Sequence, residues 1–595
     1  MPTESSLVAD SPAATTDAGS SPASVVDERV GLHGWSRSGV RWWATVMALL
    51  AIYGLVVGLM DPRAHLITDV GGKTATLEAM TQRGDWDPDL GYWFEDTDPE
   101  GELFPLDKTS LAPNGQWVNT TSLTMVLPAR PLWEIGGARS VLVVPMLGAV
   151  LCALGAGALQ RRWSPGTDGF ASALVVGAAT PAFVYAVDFW EHSLGLAAIT
   201  WGMVAVIDVG RQRSPAWLAL AGGLCFGLAA TMRQEALVYG FVAGLVLLIE
   251  AVRARGVMVA GVRSLLFGAG AAAMVAAHAW LELSIYGGSL RTARSGGVIG
   301  AGGGNEFESR VRAAAATVLF PLNGDHAVSY VLGALLLVSL VWLTVVVTGL
   351  DRRSRRDPRL AIVYAALVWS LYAVALLRMG PRFVPGLVAT TPLAVVGAVA
   401  GFRDRRWIPL VLGLGPLPLV LATAYTDGSI VQWGGRYQLA TGLMLTVLAI
   451  SSIDDGAVRH RRRLIAGAGA FGLFVTLFGV AWGIERTQRV ADGWDVVASV
   501  TEPDDVVVWH DTAHAREAGA FSVGRRWLGA PTQAQQTRLV LALDENGIDH
   551  FYWIDRPSPD LPTFEGFAPG ESLGELELFG DQITRFSRVA DTHGN

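Results

Sequence analysis

The chain has 595 residues, of which 51% are apolar and 16% charged, with a net charge of −8 and a mean hydropathy of +0.38. That balance excludes an ordinary soluble enzyme. The net charge says little about partners, but its distribution says more, because arginines sit between apolar segments and much of the negative charge lies in long loops and at the two ends.

Residues 1–38 are rich in Ser, Ala, Thr, Pro and Asp and poor in large apolar residues, so they read as a disordered cytoplasmic tail. The first apolar run, 42–60, begins too deep for a cleaved signal peptide and is expected to be a retained transmembrane helix, with Trp42 and Trp43 anchoring its inner end. Apolar segments long enough to span a bilayer then recur at 139–158, 167–187, 190–208, 216–232, 236–251, 264–283, 328–349, 360–377, 383–400, 408–424, 437–453 and 464–483. The expectation is an all-α polytopic membrane domain over 39–483 with about thirteen transmembrane helices. Arg161 and Arg162, Arg211 and Arg213, Arg253 and Arg255, and the clusters at 352–359, 403–406 and 459–463 all fall in alternate loops. The positive-inside rule then places the amino terminus inside and the carboxy terminus outside.

Three outer regions are long: 61–138, 284–327 and the tail from 484. Long outer loops set against short inner ones put binding and catalysis on the outer face. Within the tail, 505–510 and 550–555 read as strands and 532–546 as a polar helix, so 484–595 is expected to be a small extracytoplasmic α/β domain with no catalytic set visible in it.

Several motifs fail on inspection. Gly71-Gly72-Lys73-Thr74 resembles the end of a phosphate-binding P-loop, but Ile67 stands where that pattern needs glycine. Asn119-Thr-Thr121 matches a glycosylation acceptor, a short and common pattern. Cys152 and Cys225 both lie in apolar segments, and no histidine pair has metal-ligand spacing on a helix. The Gly302–Gly304 run reads as a flexible segment. Lysine occurs only at Lys73 and Lys108, every other basic residue being arginine, a bias expected of a GC-rich genome.

What remains is a set of polar residues delivered to one membrane face. Asp69 opens a short amphipathic helix that should end at Gly84. Asp188, Trp190, Glu191 and His192 join the third and fourth apolar segments, and Arg233 and Glu235 occupy the outer turn between the fifth and sixth. Gly380-Pro-Arg382-Phe383 and Gly434-Gly-Arg436-Tyr437 echo each other at the start of two later segments, with Arg378 nearby. Each has a plainer reading: Asp69 as a helix cap, Glu191 and His192 as solvated turn residues, Arg382 and Arg436 as interfacial anchors, Arg233 and Glu235 as an ion pair across a turn. Together they point to a substrate site, since ionisable groups at membrane depth are costly.

On these residues the chain resembles the type-C (GT-C) glycosyltransferases, integral membrane enzymes that use polyprenyl-phosphate-linked sugars. The resemblance spans roughly 40–480 and rests on Asp69 through Trp86, on Trp117-Val-Asn-Thr-Thr through Pro131-Leu-Trp into Gly136-Gly-Ala-Arg139, on the stretch from Gly227 to Glu235, and on Gly380-Pro-Arg382-Phe383. The wording is similar to the bacterial lipid-A and dolichol-type branch, which often has Asp-Glu after the first helix where this chain has Asp69-Val70.

The resemblance implies transfer of a sugar from a polyprenyl-phosphate donor to a cell-envelope glycan, glycolipid or protein acceptor, on the outer face of the cytoplasmic membrane. Asp69 would be the general base. Arg382, Arg436, Arg233 and Arg378 would hold the donor phosphate, for which a planar fork suits better than an ammonium. Asp188, Trp190, Glu191, His192 and Glu235 would contact the sugar or acceptor. No cofactor is expected, Glu95 and Asp96 being the candidates for holding a divalent cation. The partners are then the lipid-linked sugar, the acceptor and the bilayer, not nucleic acid. A lipid-linked glycan flippase or transporter, or a polysaccharide polymerase or ligase, are the alternatives; a transporter would place its site near the midplane.

Overall fold

The computed structural model describes residues 32–120, 123–210, 214–290, 311, 314–319, 327–348, 358–379, 385–423, 433–452, 459–558, 561–577 and 579–589. Long runs of Leu, Val, Ala and Gly satisfy their backbone internally as helices. Among the described residues eight helices are long and apolar enough to cross a membrane: Gly39–Leu59, Val143–Trp163, His192–Gly210, Ala236–Arg255, Val257–Tyr286, Tyr330–Thr348, Arg359–Arg378 and His460–Val500. Trp217–Met232 is a shorter apolar helix, and Leu439–Ser451 is buried along its whole length.

Three of the apolar segments expected as single helices are broken. Segment 167–187 divides into Phe170–Ala178 and Pro181–Val184, 383–400 into Leu387–Thr390 and Pro392–Arg403, and 408–424 into Trp407–Leu414 and Pro416–Thr423. The cause is the same each time: proline lacks the amide hydrogen and clashes with the preceding turn, so it starts the second piece. At the first break the Thr180 side chain accepts from the Ala182 amide.

The helix Arg459–Val500 has 42 residues, about 60 Å at the α-helical rise, far more than a hydrocarbon core of about 30 Å requires. Residues 484–500, expected in the carboxy-terminal domain, are its distal end. It carries a five-stranded sheet of order β4-β3-β5-β7-β6, with β3 (Val507–Trp509), β4 (Trp527–Gly529), β5 (His550–Asp555), β6 (Phe567–Leu576) and β7 (Asp581–Arg588). β3 runs parallel to β4 and β5, and the β5, β7 and β6 pairings are antiparallel. Trp494 of the long helix packs with Trp509 and Trp527 on one face. On the other, Leu528, Phe551 and Trp553 share a core with Tyr92, Phe94 and Trp117 of the first long loop. Loop and domain are therefore one packed unit, which the β1 (Thr109–Leu111) and β2 (Trp117–Asn119) hairpin joins.

Among the described residues, arginines of three clusters meet at the opposite end of the long helix from the sheet. Arg162 pairs with Asp208, Arg461 with Asp404 at 3.0 Å, and Arg406 donates to the Trp163 carbonyl at 3.1 Å.

Candidate active site

The site is built from helix ends. Helix Thr68–Arg83 starts after Ile67, whose side chain makes no cap, and ends at Gly84 with φ of 72°. The Asp69 carboxylate, one residue into the first turn, makes ion pairs in place of the capping bond considered for it. Gly71 and Gly72 are helical, not a phosphate loop. A Cβ on Gly71 would lie 1.8 Å from the Arg516 carbonyl oxygen, and one on Gly72 would lie 2.4 Å from Asn119 Nδ2. Glycine is what lets this helix meet β2 and the carboxy-terminal domain.

Three cations surround Asp69. Arg516 Nη1 and Lys108 Nζ donate to its Oδ1 at 3.0 Å and 3.2 Å, and Arg436 Nη1 lies 3.6 Å from its Oδ2. One turn along the helix, the Lys73 ammonium, 1% exposed, pairs with Glu191 Oε2. Arg233 lies 3.6 Å from Glu191 Oε1 and donates through Nε to Glu235 Oε1 at 2.8 Å. Tyr437 joins the two halves, since the guanidinium carbons of Arg436 and Arg233 lie 4.6 Å and 4.9 Å from its ring centroid. Trp190 lies 5.8 Å from Arg436 on another side and 3.9 Å from the His192 ring, which stacks on Tyr185 at 4.5 Å.

In this network five cations face three carboxylates. Arg233 Nη2, Arg436 Nε, Trp190 Nε1, Gln438 Nε2 and Asn119 Nδ2 are buried donors without a partner among the described residues. Buried donors are costly to leave unpaired, so the arrangement suits an anionic, oxygen-rich ligand. Burial would raise the Asp69 carboxyl, but Arg516, Lys108, Arg436 and Lys73 overcome it and hold the group well below the usual carboxylate range. Glu191 is likewise held low against burial by Lys73 and Arg233.

Of the residues expected from the sequence, Asp69, Trp190, Glu191, His192, Arg233, Glu235 and Arg436 come together. Asp188 makes no ion pair in this network: with Asp61, His65 and Thr74 it lines a neighbouring cavity of about 20 Å³, and burial, opposed by Lys73, pushes its carboxyl up to about 7. Arg378 lies on an exposed face of its helix, and Arg382 lies outside the described residues, as does the Gly302–Gly304 run. Glu95 and Asp96 are exposed, and among the described residues no group of three or more His, Cys, Asp or Glu is placed to hold a metal ion. Asn119 is 3% exposed and accepts from Arg516 Nη2 at 3.1 Å, so it is not presented as a glycosylation acceptor.

Lys73, Lys108 and Arg516 were not anticipated as site residues. One signal was there to be read: both lysines of an arginine-dominated chain bind carboxylates of this cluster.

No known protein family matches the sequence, and no curated protein does. Solved structures with a related chain path include ArnT from Cupriavidus metallidurans in the apo state, with TM-score 0.45, 13% identity, and coverage of 94% of this chain and 100% of that one. The same protein bound to undecaprenyl phosphate gives TM-score 0.40 and 11% identity over 95% and 100%. The oligosaccharyltransferase of Archaeoglobus fulgidus in complex with Zn and sulfate gives TM-score 0.40 and 12% identity over 85% and 67%. At these scores the likeness is one of chain path and carries no functional weight.

Proposed function

We propose that this chain is a GT-C-type membrane glycosyltransferase that moves a sugar from a polyprenyl-phosphate donor to a cell-envelope acceptor at the outer membrane face. The observation that carries the reading is the cationic excess around Asp69, with unpartnered buried donors, at the ends of apolar helices. A lipid phosphate fits there by charge and by depth: its headgroup meets Arg436 and Arg233, whose Nε and Nη2, respectively, have donors to spare, while its prenyl chain stays in the bilayer. The position of the cluster at helix ends, against a folded outer domain, also favours a transferase over a transporter with a midplane site.

In the proposed reaction the acceptor hydroxyl attacks the sugar C1, the bond from C1 to the phosphate oxygen breaks, and the electron pair leaves with the polyprenyl phosphate. Asp69 takes the hydroxyl proton. The carboxylate is too weakly basic while three cations hold it; phosphate binding supplies competing negative charge and draws Arg436 from Oδ2, which raises its basicity at the moment the donor is present. No cofactor enters this displacement. Trp190 and His192 offer an aromatic wall to the sugar.

The test is transfer by purified protein in nanodiscs from radiolabelled polyprenyl-phosphate monosaccharides, with lipid-linked oligosaccharides and nucleotide sugars as rival donors and a cell-envelope extract as acceptor. Label transfer from the monosaccharide carriers is expected. Transfer from oligosaccharide carriers alone would favour a polymerase or ligase, and movement of intact lipid-linked glycan between leaflets without transfer would favour a flippase.

A further inference from the structure

Arg516 belongs to the carboxy-terminal domain, in which the sequence shows no catalytic set, yet its side chain is 1% exposed and ends in the membrane-proximal site. Nη1 donates to Asp69 Oδ1 at 3.0 Å and Nη2 to Asn119 Oδ1 at 3.1 Å. We propose that Arg516 is a positioning residue for Asp69, holding the carboxylate by Oδ1 so that Oδ2 is turned toward Arg436 and the donor. This rests on the transferase reading and deepens it.

The segment around Arg516 is fixed on three sides. Its neighbour Glu517 accepts two bonds from Arg486 Nη2, at 2.6 Å and 2.7 Å, and Arg486 Nε donates to the Leu66 carbonyl at 2.9 Å, just ahead of Asp69. Gly71 passes against the Arg516 carbonyl, and Gly519, at φ of 55°, sits where a Cβ would lie 2.3 Å from Thr74 Oγ1. A guanidinium held this tightly fixes the carboxylate rotamer, whereas Lys108, 53% exposed on a four-carbon stem, does not. The division of oxygens matters chemically. Oδ1 already accepts from two cations, while the 3.6 Å separation between Oδ2 and Arg436 is an ion pair too long for a hydrogen bond. Oδ2 is therefore the oxygen able to accept the acceptor's proton.

The domain has docking contacts independent of this arginine. Arg63 bonds Asp495 at 2.6 Å, Trp93 Nε1 donates to the Trp527 carbonyl at 3.0 Å, and Arg538 bonds Asp98 and Glu102 at 2.9 Å and 2.8 Å. Replacement of Arg516 thus reads out carboxylate placement.

The experiment uses Arg516→Gln and Arg516→Lys in the full chain in nanodiscs, with two readouts. The first is kcat and donor KM against pH. The expected result for Arg516→Gln is a kcat lowered about tenfold or more with donor KM within about threefold, an acid limb moved to higher pH, and partial recovery in Arg516→Lys. The second is infrared titration of the Asp69 carboxyl, assigned by its loss in Asp69→Asn, and needs no turnover. It should protonate at higher pH in Arg516→Gln than in the wild-type chain. An unchanged titration or a kcat within about threefold of wild type overturns the proposal. If wild-type protein transfers no sugar, the transferase reading fails by itself, and the titration still decides whether Arg516 governs Asp69.

Discussion

Lys73 and Glu191 form a buried ion pair between the juxtamembrane helix and the start of helix His192–Gly210, the lysine 1% exposed and the glutamate 11% exposed. Charges taken this far out of water are stable only in company, and Glu191 has Arg233 as its second partner at 3.6 Å. Removal of one member strands the other. Lys73→Met should cost about 3 kcal/mol in folding stability, the lower end of the range for a broken buried pair because Arg233 remains. Lys73→Met with Glu191→Gln should recover part of that loss. Thermal unfolding in detergent checks both; a single variant as stable as wild type would show that the pair holds nothing.

Gly71→Ala tests the close approach to the carboxy-terminal domain. The added methyl would fall 1.8 Å from a backbone oxygen that has no rotamer to move. Helix and domain must then part, at a cost of about 1–3 kcal/mol, and the Asp69 to Arg516 bond lengthens. The expected outcome is a lower Tm together with loss of transfer; by contrast a Cβ on Gly84 meets no atom within 4 Å, and Gly84→Ala should carry only the strain of its left-handed backbone, about 1 kcal/mol.

Much of this arrangement was legible in the sequence, and the illegible parts have identifiable causes. The apolar segments gave the helix positions, and Asp69 followed by a helix ending at Gly84 was visible from local signals alone. The carboxylates and arginines at helix ends were visible too, because topology delivers Glu191, Arg233, Glu235 and Arg436 to one face. Arg516 was hidden because its partner is 447 positions away, and no periodicity reports a contact between a terminal domain and the first loop. Helix breaks at Pro181, Pro392 and Pro416 were masked by apolarity on both sides of each proline, although the prolines themselves were in view. Arg378 was placed by proximity in sequence, but its position on the helix turns it to an exposed face.

His514 should make stability pH-dependent. Burial lowers its pKa, but the 2.7 Å contact with Asp581, together with Asp511 and Glu517, wins and raises it. A group with a raised folded pKa stabilises the fold most below its unfolded value, about 6.5, and loses that contribution as pH rises through the folded value. The stability advantage of wild type over His514→Gln should therefore be largest at pH 5–6 and shrink toward pH 9 in chemical denaturation. An advantage that grows with pH would contradict the assignment.

Arg436 pairs with Asp69 and donates to the Tyr437 hydroxyl at 2.8 Å. Arg436→Ala should raise donor KM about tenfold to a hundredfold, the worth of one or two charged hydrogen bonds. Arg436→Lys should restore only part of it, since an ammonium keeps the charge and loses the fork. Equal KM values for the lysine variant and wild type would remove the phosphate role from this residue.

The role of Asp69 as the base is tested most directly by sugar transfer by wild type and Asp69→Asn side by side in nanodiscs, with matched folding verified by thermal unfolding. Wild type should transfer sugar from a polyprenyl-phosphate donor, and the variant should fall by about a hundredfold or more. Transfer by Asp69→Asn within about threefold of wild type would contradict that role.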